Sequence, residues 1–292
     1  MKGKIIKGIA GFYYVHVQGR GIFECKAKGI FRAKGIKPLV GDDVDMEILD
    51  EEAHEGNITE ILPRRSTLLR PAVANADQAV IIFAAAQPAP NLGLLDRFLL
   101  IMQQQGMETI ICFNKNDLVD EAAAAWLRQV YAGSGCKVIS ISVSTGEGVD
   151  TFKALLAGKT TVMAGPSGVG KSSLTNAVYP DAEMATGRVS RKIQRGRHTT
   201  RHSELFAIGK DSYLMDTPGF STLYLEGWDK EDLKYNFPEF DPYFEKCRFH
   251  GCNHMSEPDC AVKDAVDRGL ISRERYESYR QIYESLAGQR RY

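Results

Sequence analysis

The chain has 292 residues, 43% hydrophobic and 25% charged. These are ordinary globular values, with room for two or three domains and no low-complexity segment or internal repeat. Lys and Arg (37) balance Asp and Glu (37), so only the distribution of charge can point to a partner. No stretch approaches about 18 apolar residues and the Met1 end lacks a signal-peptide run, so a cytoplasmic protein away from the membrane is expected.

Residues 1–40 carry nine Lys/Arg and one acid, Glu24; residues 41–62 carry nine acids and no Lys or Arg. Runs at 12–17 and 44–48 are β-branched and aromatic, and Gly11, Gly19, Gly21, Gly29, Gly35, Gly41 and Gly56 punctuate them. Several short strands in about 60 residues predict a small closed barrel such as an OB-fold. Lys26, Lys28, Arg32, Lys34 and Lys37 with Phe12, Tyr13, Tyr14, Phe23 and Phe31 offer charge and stacking to RNA. The same aromatics can equally fill the barrel.

Pro63 to Ser66 reads as a linker, and an α/β pattern follows. Strands are predicted over 79–86, 109–113, 137–143, 160–164, 205–208 and 212–215. Helices are predicted over 92–105, 121–132 and 151–156, with another opening after residue 172. Strands alternating with helices imply a mostly parallel sheet whose ligands bind beyond the carboxyl ends of its strands. Short helices and a Cys/His cluster take over near residue 229. A last helix over 272–287 carries Tyr276, Tyr279, Ile282, Tyr283 and Leu286 at helical spacing, read as core packing.

Four loops after predicted strands carry chemistry. Asn114-Lys115-Asn116-Asp117 is N-K-x-D. Its Asp117 carboxylate can accept from the ring N–H and amino group of guanine, a donor pair that adenine lacks; Asn114 and Lys115 brace the loop. Gly165-Pro166-Ser167-Gly168-Val169-Gly170-Lys171-Ser172, followed by Ser173, is G-x-x-x-x-G-K-[ST] between a strand and a helix. Its backbone N–H groups can wrap phosphates, Lys171 can reach the β- and γ-phosphates, and Ser172 can ligate Mg²⁺. Asp216-Thr217-Pro218-Gly219 is D-x-x-G, with Asp216 toward Mg²⁺ and the Gly219 N–H toward the γ-phosphate. Ser144-Thr145 sits where a second guanine-contacting loop belongs, although Thr145 replaces the usual Ala. Cys247, Cys252, His254 and Cys260 form C-x4-C-x-H-x5-C. Three thiolates and an imidazole can close a tetrahedron around a structural Zn²⁺; His250 is a rival ligand. Cys25, Cys112 and Cys136 read as buried small residues.

The base-specificity loops precede the phosphate loop, the reverse of the common order. On these motifs the whole chain resembles the circularly permuted ribosome small-subunit-dependent GTPase A family (RsgA, also called YjeQ or YloQ). The resemblance implies an OB-fold barrel over 1–63, a permuted P-loop GTPase domain over 64–225 and a mainly α zinc-binding domain over 226–292. It also implies GTP hydrolysis to GDP, stimulated by the small ribosomal subunit and its rRNA during late assembly, by a monomer. Residues 187–202 hold six Lys/Arg and no acid, and within them Gly196 to Thr200 matches the family's first switch. Thr199 or Thr200, with slight preference for Thr200, completes the Mg²⁺ shell. Phe220 stands where many GTPases carry a water-orienting Gln, so His198 is the candidate to position water, its alternative being a structural or exposed histidine. The second switch runs from Gly219 almost directly into the zinc module, which offers a path for tilting that module. Two other classes share parts of this pattern: a P-loop kinase or ATPase, which Asp117 disfavours, and a nucleic-acid-binding regulator that only senses GTP.

Overall fold

The computed structural model describes residues 1–29, 31, 35–69, 71–180, 204–216, 225 and 227–288. They group into two compact units. One comprises Met1–Val80, Val149–Ala164 and Gly170–Gly219; the other comprises Ile81–Gly148, Gly165–Val169 and Phe220–Tyr292.

The first unit opens with β1 (Lys2–Ile9), β2 (Phe12–Val17), β3 (Gly21–Ala27), β4 (Asp43–Asp50) and β5 (Glu55–Ile61), a closed barrel in the order β1-β2-β3-β5-β4. Neighbours are antiparallel except the parallel β3–β5 pair. Alternation sends Ile5, Val15, Phe23, Val44, Met46 and Ile58 inward, each removing about 1.5–3 kcal/mol of apolar surface from water. Gly56 lets strands close, since a Cβ there would sit 2.8 Å from the Glu47 carbonyl oxygen. The core reading of the aromatics holds for part of the set. Phe23 and Phe31 are core, whereas Lys26 lies over the half-buried Phe12 ring at 5.3 Å and the Tyr14 hydroxyl donates to Glu24 at 3.0 Å. Arg32 and Lys34 lie outside the described residues.

The predicted linker is pinned. Arg64 grips the fully buried Asp42 carboxylate through Nε at 2.7 Å and Nη2 at 2.9 Å. A ribbon of β6 (Thr67–Leu69) and β7 (Ala72–Ala74) follows. Three-residue strands carry too little periodicity to be read from sequence.

A six-stranded sheet runs β10-β9-β8-β11-β13-β12, built from β8 (Gln78–Ala84), β9 (Glu108–Asn114), β10 (Lys137–Ser140), β11 (Thr160–Ala164), β12 (Leu205–Gly209) and β13 (Ser212–Asp216). β9–β10 and β11–β13 are parallel; β12 is antiparallel to β13. The intervening helices are α1 (Leu92–Gln104), α2 (Glu121–Val130), α3 (Val149–Leu156) and α4 (Lys171–Val178). Asn91 caps α1 through the Leu94 N–H, and Asp120 caps α2 through the Ala123 N–H. The strand expected over 137–143 stops at Ser140, because the residues beyond turn back and the Gly146 N–H donates to the Ser142 carbonyl.

In the second unit, two 3₁₀ segments, Leu233–Asn236 and Pro238–Lys246, lead to α5 (Ala261–Asp267) and α6 (Arg273–Ala287). As expected, the α6 stripe is core: Tyr276, Tyr279, Ile282 and Leu286 bury against Phe237 and Phe240, and Leu100 of α1 joins them. Cys25 and Cys112 are buried as expected, but Cys136 is only half-buried. Among the described residues no helix is long and apolar enough to cross a membrane.

Candidate nucleotide site and metal centre

In the second unit, β9 delivers Asn114 to its carboxyl end, buried among apolar neighbours. The Asn114 amide donates to the Val169 carbonyl at 2.8 Å, and its oxygen accepts from the Val143 N–H at 3.3 Å. One side chain thereby fixes the phosphate loop and the 142–146 loop together. Lys115 adopts a left-handed backbone (φ 61°), and its ammonium donates to the Gly168 carbonyl at 2.7 Å and to the Gln87 carbonyl. N-K-x-D is thus bolted to the phosphate loop three residues before Lys171.

Asp117 is exposed at the mouth of this arrangement. Ser142 Oγ donates to its carboxylate at 2.5 Å, and this bond foremost holds its pKa below the ordinary carboxylate value. Ser142 has one proton to give and gives it to Asp117, so its lone pairs accept from Ser144 Oγ at 2.9 Å and from the Thr145 N–H at 3.2 Å. The Thr145 contact is made through backbone, so Thr in place of Ala does not disturb it.

The phosphate loop leaves β11 at Gly165. Its φ of 148° and a would-be Cβ 2.1 Å from the Ile82 carbonyl oxygen leave space for hydrogen alone. Pro166 follows half-buried, Ser167 and Gly168 are exposed, and Val169 is buried. Gly170, at φ 93°, precedes the first turn of α4, where Lys171, Ser172 and Ser173 are half-buried. In the first unit β13 places the Asp216 backbone in register with Met163, two residues before Gly165.

The Cys/His cluster gathers in the second unit. One donor atom each from Cys247, Cys252, His254 and Cys260 lies within 4.8 Å of the others. His254 Nδ1 is 3.4 Å from Cys260 Sγ and 3.7 Å from Cys247 Sγ, and those two sulfurs are 4.0 Å apart. A cation about 2.3 Å from each sulfur and about 2.0 Å from the nitrogen sets roughly 3.8 Å between sulfurs and roughly 3.5 Å from sulfur to nitrogen, so the donors fit. Burial pushes the Cys252 thiol up to about 12 and lowers His254 to about 4, with Lys234 adding to the latter. Buried thiolates need the counter-charge that a divalent ion supplies. The rival His250 is exposed and outside the cluster. The loop is clamped from outside: Tyr276 donates to the His254 carbonyl and Tyr279 to the Asn253 carbonyl, both at 2.6 Å, and Lys234 donates to the Cys252 carbonyl at 3.0 Å.

Known proteins are similar to this chain in sequence and in architecture. The family profile described as RsgA GTPase matches residues 61–226, and that of the RsgA N-terminal domain matches residues 2–58. The chain belongs to the RsgA GTPase family. It is 52% identical to the small ribosomal subunit biogenesis GTPase RsgA of Agathobacter rectalis, covering 100% of both chains. It is 45% identical to that of Alkaliphilus metalliredigens, covering 100% of this chain and 99% of the relative. The crystal structure of YjeQ from Thermotoga maritima superposes with TM-score 0.80 at 34% identity, covering 99% of each chain. That of YloQ, a circularly permuted GTPase, superposes with TM-score 0.77 at 36% identity over 100% of this chain and 96% of YloQ.

This RsgA-family chain is therefore a P-loop GTPase with permuted motif order. The fold joins Asn114, Lys115, Asp117, Ser144 and Thr145 to the Gly165–Val169 half of the phosphate loop. His198, Thr199, Thr200 and Gly219 lie outside the described residues, as does the Asp216 side chain. Ser142 and the Gln87 carbonyl were missed from sequence. Ser142 was read as strand, and a backbone carbonyl has no residue-type signal.

Proposed function

We propose that this chain hydrolyses GTP to GDP and phosphate on the small ribosomal subunit, late in assembly, as a monomer touching rRNA. The relatives matched along their full length are small ribosomal subunit biogenesis GTPases. The proposed division is 1–63 for the barrel, 64–225 for the GTPase domain and 226–292 for the metal module. In this reading Asp117 accepts from the guanine edge, with Ser144 and Thr145 closing over the base. Residues 165–170 wrap the phosphates, Lys171 and the Gly219 N–H neutralise charge on the γ-phosphate, and His198 orients the attacking water. The water oxygen bonds the γ-phosphorus as the bond to the β–γ bridging oxygen breaks. Ser172, Asp216 and Thr200 or Thr199 would hold Mg²⁺, which offsets phosphate charge when bound. Cys247, Cys252, His254 and Cys260 would hold Zn²⁺, the ion that three thiolates and an imidazole suit; a full protein shell makes the site structural.

The observation that carries this reading is the pair of bonds from Asn114 and Lys115 to the Val169 and Gly168 carbonyls. A base-reading loop tied to a phosphate loop implies one ligand spanning both. Equilibrium binding tests it: Asp117→Ala lowers GTP affinity by about 100-fold, or about 2.7 kcal/mol, and leaves ATP affinity unchanged. ATP competing as well as GTP on the unaltered chain would overturn guanine specificity. Turnover that does not rise on adding small subunits would overturn the ribosomal half.

A further inference from the structure

The barrel touches the β12–β13 hairpin of its own unit at two points. Lys7 of β1 forms an antiparallel bridge with Glu204, and its ammonium lies 3.1 Å and 2.9 Å from the two carboxylate oxygens. A bulge in β1 between Ile5 and Lys7 re-aims the strand at this level. His16 of β2 meets the Tyr213 hydroxyl through Nδ1 at 3.0 Å, and Lys4 stands 5.4 Å from the Tyr213 ring. A polar cleft of about 430 Å³, lined by Lys4, His16, Asp43, Asp77 and Tyr213 among others, lies beside the second contact.

These contacts fall where the hairpin matters most. The ladder ends with Leu205 paired to Met215; Glu204 and Asp216 are the next residues along the two strands. Glu204 is also two residues beyond the basic 187–202 stretch that contains His198 to Thr200. Tyr213 lies three residues before Asp216 on the other strand. The barrel thus meets both strands of the hairpin through polar side chains.

We propose that Lys7 and Glu204 are a positioning pair that transmits engagement of the barrel to the Asp216 end of the hairpin, and so sets subunit-stimulated GTP hydrolysis. The proposal rests on the ribosomal reading above for its final readout but not for its first. Lys7→Glu and Glu204→Lys each speed amide exchange along the Leu205–Met215 ladder of the free chain by about fivefold. Each cuts small-subunit-stimulated turnover by about tenfold, with basal turnover and GTP affinity held within about twofold. The double swap restores both, because the ion pair re-forms with reversed sign. Unchanged exchange in both single variants overturns the proposal. Faster exchange with stimulation intact, or a double swap that restores nothing, also overturns it, since the contact is then only scaffold. If the unaltered chain is not stimulated by small subunits while the exchange pattern appears and is rescued, the ribosomal reading fails and the mechanical link stands.

Discussion

Lys7 and Glu204 meet with side chains 31% and 37% exposed. Arg275 of α6 meets Asp96 of α1 and Glu239 of the second 3₁₀ segment with side chains 3%, 1% and 7% exposed. The first contact is a screened surface pair worth at most about 1 kcal/mol. In the second, a guanidinium serves two carboxylates in the interior and stacks 4.6 Å from the Phe237 ring. Breaking it leaves an uncompensated buried charge. The Lys7–Glu204 pair can be broken at little cost, whereas the metal module is tied to α1 by a buried triad. A tilt of the module of the kind expected from the sequence would therefore have to carry α1 with it or break the triad.

Metal removal is the largest way to break this comparison. Structural ions of this kind contribute on the order of 10 kcal/mol to the fold that holds them. A strong chelator is expected to release one metal ion per chain and to abolish amide protection across α5 and α6, while β1–β5 stay protected. Protection retained in α6 after the metal has gone would show that the aromatic cluster of Phe237, Phe240 and Tyr279 holds the module unaided.

Arg275→Ala comes next, at about 3–5 kcal/mol, read by denaturant unfolding. A triple replacement of Asp96, Glu239 and Arg275 by apolar residues of like volume sharpens the test. If the triad specifies geometry more than it stabilises, the triple variant regains most of the loss. A triple variant as unstable as Arg275→Ala would show that the charges themselves bind the module.

What was legible in the sequence follows the same division. N-K-x-D and the Cys/His spacing are contiguous, and each names its own chemistry, so the bracing by Asn114 and the clustering of Cys252 with its neighbours could be read directly. Ser142 could not: its role depends on the chain turning after Ser140, and serine near a strand end is common. Arg275 could not either, because Arg between Glu274 and Glu277 on a helix reads as a solvated face, and its partner Asp96 is 179 residues away. Glu204 could not be read either: it precedes the strand predicted over 205–208, and its partner Lys7 is 197 residues away. The tyrosine stripe was read correctly as core, but periodicity says nothing of where a hydroxyl points.

Those hydroxyls give a smaller effect. Tyr279→Phe removes the 2.6 Å bond to the Asn253 carbonyl and keeps the ring against Phe237 and Phe240. A cost of about 1 kcal/mol is expected, with metal affinity down about tenfold, the scale of outer-shell partners. Competition with a chelator of known affinity measures it. Unchanged affinity would make Tyr279 packing alone.

The smallest effect tests the barrel side by pH. Burial lowers the His16 pKa and Asp211 opposes that shift. The folded state therefore binds the His16 proton less readily than the unfolded chain, whose value is about 6.5. This contribution is whole above that value and is lost as pH falls through the lowered folded value. His16 is half-exposed, so the loss stays under about 1 kcal/mol. Thermal unfolding from pH 8 to 5 should show the unaltered chain losing slightly more stability on acidification than His16→Gln, which keeps a polar group near Tyr213 but does not titrate. Parallel curves would show that the His16–Tyr213 contact tolerates imidazolium, leaving Lys7 and Glu204 as the charged grip of the barrel on the hairpin.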